Sequence, residues 1–460
     1  MMDRLFSLKE HGTNARTEVF AGLTTFVTMA YIMFVNPSVL SSTGMDKGAV
    51  FVATILAAAI ATFVMAFFAN VPYAQAPGMG MNTFFTYTVC VVMGIPWTQA
   101  LAIVFICGII NIIITVTKIR KMIIYAIPQS LQYAISGGIG LFIAYIGFMN
   151  GRLLSFLPQD TADAAGYFHS VVPSLVKFSD PNSILTLIGV VIIVALMLLR
   201  VKGAILIGML ATTVIGIPMG VTVLPDKWLS LPPSLNPTFF KLDIGGLFSD
   251  PSQLFKVIML ILAFSLSDTF DTIGTFLGTG RKTGIFDTKD EDDLQNGKGF
   301  SSRLDRALFA DATATSVGAL LGTSNTTTYV ESSAGIAAGG KTGLTSATVG
   351  LLFLVSLVFS PIALMVPSAA TAPALIVVGI LMIESFGKIK WDEFEESAPA
   401  FFTAVVMPFT NSIATGVAAG FIFYCISKIF RGKAREVHPI MYIVTALFLM
   451  NYVVDALKLL

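Results

Sequence analysis

Long apolar runs alternate with short polar segments along almost the whole chain. Measured against the roughly 20 residues a helix needs to cross a bilayer, they predict membrane spans near 19–40, 49–69, 71–94, 97–117, 127–149, 183–199 and 203–222. A second set follows near 253–280, 304–321, 323–343, 345–366 and 369–387. The stretch 398–430 is long for one span, and Met407-Pro-Phe-Thr-Asn411 in its middle reads as a helix break, so it is divided in two. Fourteen spans result, followed by an apolar tail, 438–460, that either lies in the interface or crosses once more.

Two of these spans are interrupted. Asn70-Val-Pro-Tyr-Ala-Gln-Ala-Pro-Gly-Met-Gly-Met-Asn82 and Thr323-Ser-Asn-Thr-Thr-Thr-Tyr-Val-Glu-Ser-Ser-Ala-Gly335 each follow an apolar span and run into small residues that can open a half-helix. Each carries a Tyr-x-(Gln/Glu) step, Tyr73 with Gln75 and Tyr329 with Glu331. Other features repeat in the same order. Pro128 and Gly140 in span 5 match the spacing of Pro367 and Gly379 in span 12, and Gly208 in span 7 answers Gly416 in span 14. Two halves of seven spans must insert in opposite directions, which is the inverted-repeat plan of secondary transporters with a site at the midplane.

Charge distinguishes between the possible span counts. With the split and a cytoplasmic N-terminus, inside segments hold 21 Lys and Arg residues and outside segments 6, with Lys458 in the tail. Leaving 398–430 as one span weakens that bias, so the positive-inside rule favours the split. Composition agrees with a polytopic membrane protein: 460 residues are 55% hydrophobic and 12% charged, with a mean hydropathy of +0.82. A net charge of +1 without a basic patch excludes a nucleic-acid partner. Cys90, Cys107 and Cys425 sit inside apolar runs without disulfide or Cys-x-x-Cys spacing. His11, His169 and His438 lie at span ends or in a loop, so no metal or other cofactor is expected. The polar start, Met1 to Glu18, is not a cleavable signal peptide, and the short loops suit a bacterial-type inner or plasma membrane.

The chemistry lies in the polar residues within the spans. In Phe264-Ser-Leu-Ser-Asp268-Thr-Phe-Asp271-Thr-Ile-Gly-Thr275, positions 264, 268, 271 and 275 share one helical face. An acid at bilayer depth costs about 2.5–3.5 kcal/mol on insertion scales and by default marks function; the bland reading is a helix tie or a cap. If 327–331 is extended, Tyr329 and Glu331 project to one side. Asn82 adds a side chain that both donates and accepts. A planar heterocycle suits this set: carboxylates take N–H donors, Asn82 and Gln75 read an edge, and Tyr329 or Phe270 stacks. A buried acid beside another acid is also a candidate proton carrier. Asp311 reads as a helix tie or relay, Glu384 as an interface or gate residue, and Lys341 as a snorkelling cation. The loops 281–306 and 151–182 carry no signal of their own.

Gly22-Leu-Thr-Thr-Phe-Val-Thr-Met-Ala-Tyr-Ile-Met-Phe-Val-Asn-Pro37, Ala76-Pro-Gly-Met-Gly-Met-Asn82, Asp268-Thr-Phe-Asp-Thr-Ile-Gly-Thr275 and Thr326-Thr-Thr-Tyr-Val-Glu-Ser-Ser-Ala-Gly335 together resemble the AzgA-like branch of the nucleobase permeases, the adenine and guanine/hypoxanthine proton symporters. The resemblance covers essentially the whole chain. It implies an all-α polytopic fold of the uracil-permease type, fourteen spans in a seven-plus-seven inverted repeat with short strands in spans 3 and 10. A core domain would comprise 19–117 (spans 1–4) and 253–366 (spans 8–11), and a gate domain 127–222 (spans 5–7) and 369–430 (spans 12–14). The core would move against the gate as an elevator, and relatives of the fold pair through the gate as homodimers. By the same resemblance Asp268 and Glu331 hold a purine, Asn82 supports binding, and Asp271 couples protonation or braces the site, with Glu331 and Asp268 as further proton carriers. The implied partners are a purine nucleobase, a proton and the lipid bilayer.

Three other readings fit the chain less well. A sulfate- or bicarbonate-type anion transporter shares the architecture, but an anion site needs donors or a cation near half-helix ends. An intramembrane aspartyl protease would draw its two acids from separate spans, one within Gly-x-Gly-Asp. An ATP-driven pump would carry a phosphate-binding loop, which does not accompany these motifs. A transporter rather than an enzyme is expected.

Overall fold

The computed structural model describes residues 2–117, 126–158, 171–176, 178–250, 253–283, 285–286 and 302–458. His169, Lys177, the basic positions 118–121 and most of the 281–306 connector fall outside these residues. In the first half, α1 (Ala15–Met29) and α2 (Ile32–Leu40) form one interrupted span, and α3 (Lys47–Val64) widens into a π turn over Met65–Ala69. The strand β1 (Gln75–Pro77) and half-helix α4 (Met79–Thr83) follow, the latter continuing as π turns through Phe84–Val92. Next come α5 (Trp97–Val116), α6 (Gln129–Asn150), a hairpin of β2 (Leu154–Pro158) and β3 (Val171–Leu175), α7 (Pro181–Leu198) and α8 (Ala204–Ile215).

The second half opens with α9 (Leu254–Thr283) and α10 (Arg303–Leu321), then β4 (Thr326–Thr328) and half-helix α11 (Ser332–Ala337). After these come α12 (Gly343–Ser356), α13 (Ser368–Ile383), α14 (Phe394–Thr410), α15 (Ile413–Phe430) and α16 (Pro439–Lys458). Among the described residues, eight helical segments are long and apolar enough to cross a membrane, with shorter apolar helices at Met79–Val92, Ala204–Ile215 and Pro439–Met450. The protein is a mostly helical, multi-pass membrane protein.

The break in 398–430 falls where backbone chemistry allows it. Pro399 and Pro408 are both carried inside α14; the chain turns instead at Asn411, in the left-handed region at φ 52°, and the Ser412 side chain caps α15 by accepting from the Thr415 amide. The tail is a helix laid along α15, with Phe448 edge-on to Phe421 at 6.2 Å and the Thr445 hydroxyl 3.3 Å from Cys425 Sγ. Lys428, buried near the end of α15, reaches Glu396 at 3.1 Å and Glu395 at 3.4 Å, and Lys433 reaches Glu395 at 2.7 Å. The last turn of α15 is thereby tied to the start of α14.

Packing follows two groups. α12 packs on α1 and α3, α10 on α3 and α5, and α9 on α5. In the other group α13 packs on α6 and α7, α14 on α6 and α15, and α8 on α7. The repeat seen in the sequence has a physical meaning at the α6–α13 crossing, where Gly140 and Gly379 face each other. A Cβ on Gly140 would sit 2.8 Å from the Gly379 carbonyl oxygen, and one on Gly379 would sit 2.5 Å from that of Gly140. Pro128 and Pro367 stand at the N-caps of these two helices, so equal spacing from each start brings the glycines together. Gly208 and Gly416 play matching parts, each seated against the preceding helix, at Ile193 of α7 and at Thr403 and Met407 of α14.

Because the obstacle at Gly379 is backbone, a side chain there forces the helices apart, an overpacking cost of about 1–3 kcal/mol. Gly379→Val is expected to lower the apparent melting temperature of the detergent-solubilised protein. Gly387→Val, where a Cβ meets nothing within 4 Å, leaves it unchanged. Fluorescence-detected thermal unfolding reads both.

Candidate functional site

The two breaks meet. β1 and β4 pair antiparallel, with Gln75 opposite Thr328, Ala76 opposite Thr327 and Pro77 opposite Thr326. Bonds from Gly78 N to the Asn325 carbonyl (2.9 Å) and from Tyr329 N to the Ala74 carbonyl (3.0 Å) extend the pairing at both ends. Inside a bilayer an unpaired strand is untenable because no water satisfies its backbone; here each broken span supplies the partner of the other. Side chains complete the edges. Thr62 of α3 accepts from Gln75 N at 2.9 Å, and Thr315 of α10 donates to the Thr326 carbonyl at 3.1 Å.

Two sequence expectations are corrected by this register. The Tyr-x-(Gln/Glu) steps are not structural equivalents: Tyr73 precedes β1 and packs edge-on to Phe276 and flat on Phe286, whereas Tyr329 follows β4. Nor is 327–331 extended. The strand ends at Thr328, and Glu331 has helical φ and ψ of −59° and −19° at the start of α11. The shared side of Tyr329 and Glu331 therefore cannot come from strand alternation. The Tyr329 hydroxyl instead donates to the Pro77 carbonyl at 2.6 Å, buttressing β1.

Asp311 of α10 is the hub beneath the strands. Its carboxylate accepts from Thr328 N at 2.9 Å, Thr328 Oγ1 at 2.8 Å, Gln75 Nε2 at 3.2 Å and Thr272 Oγ1 at 2.6 Å. One acid thus joins β4, β1 and α9. Gln75 uses its NH2 on Asp311 and on Thr328 Oγ1, while its buried Oε1 accepts nothing among the described residues.

On α9 the expected stripe turns inward. Phe264, Asp268 and Thr275 are buried, Asp271 is partly accessible, and Phe264 packs on Phe84 at 4.5 Å. Asp268 accepts from Asn111 Nδ2 of α5 at 2.8 Å, the Thr315 hydroxyl lies 3.4 Å away, and Ser265 donates to Asn111 Oδ1. Asp271 accepts no hydrogen bond among the described residues, though the charges of Asp311 and Glu331 act on it. Phe270 belongs to the same helix, but its side chain lies outside the described residues. The two aspartates therefore differ sharply in surroundings despite their spacing of three.

Glu331 accepts from the Tyr31 hydroxyl at 2.6 Å, which ties the interruption between α1 and α2 to the start of α11. Asn82, fully buried in α4, donates to Asn36 Oδ1 of α2 at 2.8 Å, and its own Oδ1 accepts nothing among the described residues. Tyr31, Asn36, Asn111, Thr272 and Thr315 were not singled out from sequence. Asn36 and Asn111 carried a usable signal, an amide within an apolar span, where polar side chains are costly. The hydroxyls carried none, because threonines are scattered along most of the spans.

The arrangement is a carboxylate-rich centre where two half-spans abut, with acceptors on Asn82 and Gln75 that have no partner among the described residues: it can take N–H donors from a ligand and hold a proton. A permease family model, Xan_ur_permease, matches residues 16–419. The adenine permease AdeP of Escherichia coli (strain K12) is 40% identical over 457 residues, covering 99% of this chain and 97% of that protein. The guanine/hypoxanthine permease PbuG of Bacillus subtilis (strain 168) is 42% identical over 463 residues, covering 98% and 99%. In fold, the chain is similar to the transmembrane domain of a cyanobacterium bicarbonate transporter, BicA, at a TM-score of 0.64 and 18% identity, over 87% of this chain and 97% of that one. With its matched family model, its full-length likeness to two permeases and a site built from paired half-spans, this chain belongs to that permease family, whose members are transporters and not enzymes.

Proposed function

We propose that the protein imports purine nucleobases, adenine or guanine/hypoxanthine, across an inner or plasma membrane by proton symport, with an N-terminus on the cytoplasmic side. The observation that carries the reading is the sign of the charges at the strand crossing. Asp268, Asp271, Asp311 and Glu331 gather there, and no Lys or Arg occurs between Lys47 and Lys118, between Lys256 and Arg281 or between Arg306 and Lys341. An anion such as bicarbonate would meet repulsion at such a centre, whereas a neutral heterocycle rich in N–H groups meets acceptors. The names of the two relatives point to the same class of cargo.

In this reading the four acids divide the labour. Glu331 and Asp268 receive the N–H edge of the purine, Asn82 supports it, and Gln75 and Tyr329 line the strands beside it. Asp271, which accepts no hydrogen bond among the described residues, exchanges the coupled proton. Asp311 is committed to the scaffold by its four donors. The group of spans 1–4 and 8–11 carries the site as a core against the gate of spans 5–7 and 12–14, in an elevator motion.

Uptake of radiolabelled adenine, guanine, hypoxanthine, xanthine and uracil into cells lacking their own permeases tests the assignment. Wild type is expected to accumulate one or more purines in a protonophore-sensitive manner. Glu331→Gln, losing a charge-assisted bond of about 1.5–3 kcal/mol, weakens transport roughly tenfold or more. Flat uptake of every base by protein shown to be at the membrane sinks the purine assignment. Asp271→Asn and Asp311→Ala separate coupling from scaffold. The first is expected to retain purine counterflow in proteoliposomes while losing proton-driven accumulation. The second leaves buried donors unpaired at about 1–3 kcal/mol each and lowers the yield of monodisperse protein.

A further inference from the structure

The direction of each hydrogen bond can be followed through the polar residues behind Asn82. Thr54 of α3 donates its only hydroxyl proton to the Val50 carbonyl at 2.6 Å. Its oxygen can then only accept, and the Asn36 side chain contacts it at 2.7 Å. The group that Asn36 turns to Thr54 must therefore be its NH2, which also donates to Thr323 Oγ1 at 2.9 Å. The Asn36 oxygen is left on the other side, where it meets Asn82 at 2.8 Å. That contact holds only if Asn82 offers its NH2, whose second proton faces Met79 Sδ at 3.9 Å. Asn82 Oδ1, fully buried, is then the one group the amide has left, and it has no partner among the described residues.

An asparagine amide ordinarily chooses between its two ends, donating or accepting as the ligand demands. Here a chain of forced choices, Val50 to Thr54 to Asn36 to Asn82, removes the choice. We infer that Asn36 is a positioning residue that fixes the Asn82 amide in one orientation, so that Asn82 meets the substrate only as a hydrogen-bond acceptor and selects a heterocycle bearing an N–H at that point. This rests on the reading of Asn82 as a purine contact. A ligand presenting a ring-nitrogen lone pair there would leave two acceptors opposed and unpaired, which is where hydrogen-bonding sites discriminate most strongly.

The test is binding of adenine, guanine and hypoxanthine to the purified full-length protein in detergent by calorimetry, with KM and Vmax for uptake alongside. Asn36→Ala frees the Asn82 amide to rotate and is expected to raise Kd and KM about tenfold with Vmax retained. Because Asn36 acts through Asn82, the Asn36→Ala/Asn82→Ala double variant is expected to bind no more weakly than Asn82→Ala alone. If Asn36→Ala yields no monodisperse protein, Asn36→Leu, of similar shape, takes its place. Equal Kd for wild type and Asn36→Ala overturns the inference, as do additive losses in the double variant. No purine binding by the wild type overturns the proposed function and this inference with it.

Discussion

The pairing of two three-residue strands is the interaction on which the rest of the centre depends. Two spans are interrupted at membrane depth, where no water replaces a lost helical bond, and neither interruption is tolerable alone. Ala76 and Thr327 face each other at the middle of the ladder, so each break satisfies the other. Thr62, Thr315 and Asp311 then satisfy what the ladder leaves over. The half-helices that follow, α4 and α11, inherit their positions from that crossing, and with them Asn82 and Glu331.

A fold built from two like halves does not produce a site with two like sides. The first half brings amides to the centre, Asn36, Gln75, Asn82 and Asn111, while the second brings the acids Asp268, Asp271, Asp311 and Glu331. Most of the acids meet a donor from across the centre. Asn111 serves Asp268, Gln75 serves Asp311, and Tyr31 serves Glu331. Among the described residues, Asp271 is the acid left outside this exchange. The packing glycines, in contrast, keep the symmetry, because helix crossing depends on backbone approach and not on side-chain chemistry.

Function and scaffold are interleaved at single-residue spacing. Along α9, Asp268 is held by α5 and Asp271 by no hydrogen bond among the described residues, while Thr272, one position further, is bonded to Asp311. Neighbours on one helix thus belong to different networks because they point to different elements. The same holds around Asn82, whose bond to Asn36 is the last of a series that starts at a backbone carbonyl in α3.

The sequence by itself determined the class of molecule, where two of its spans break, and the acids and amides that stand out. Each of these follows from the cost of polar groups in hydrocarbon, which is paid residue by residue and so is legible in a string. Gly140 and Gly379 were also legible, since equal spacing from two helix starts is a property of the chain. The tertiary structure decided the equivalence of the breaks, which the Tyr-x-(Gln/Glu) match misjudged, because register is set by which backbone atoms face each other across 250 residues. It also decided how firmly each acid is held: Asp311, a helix tie or relay in the sequence reading, gathers four donors, whereas Asp271 accepts none among the described residues, a difference set by what other elements bring within about 3 Å.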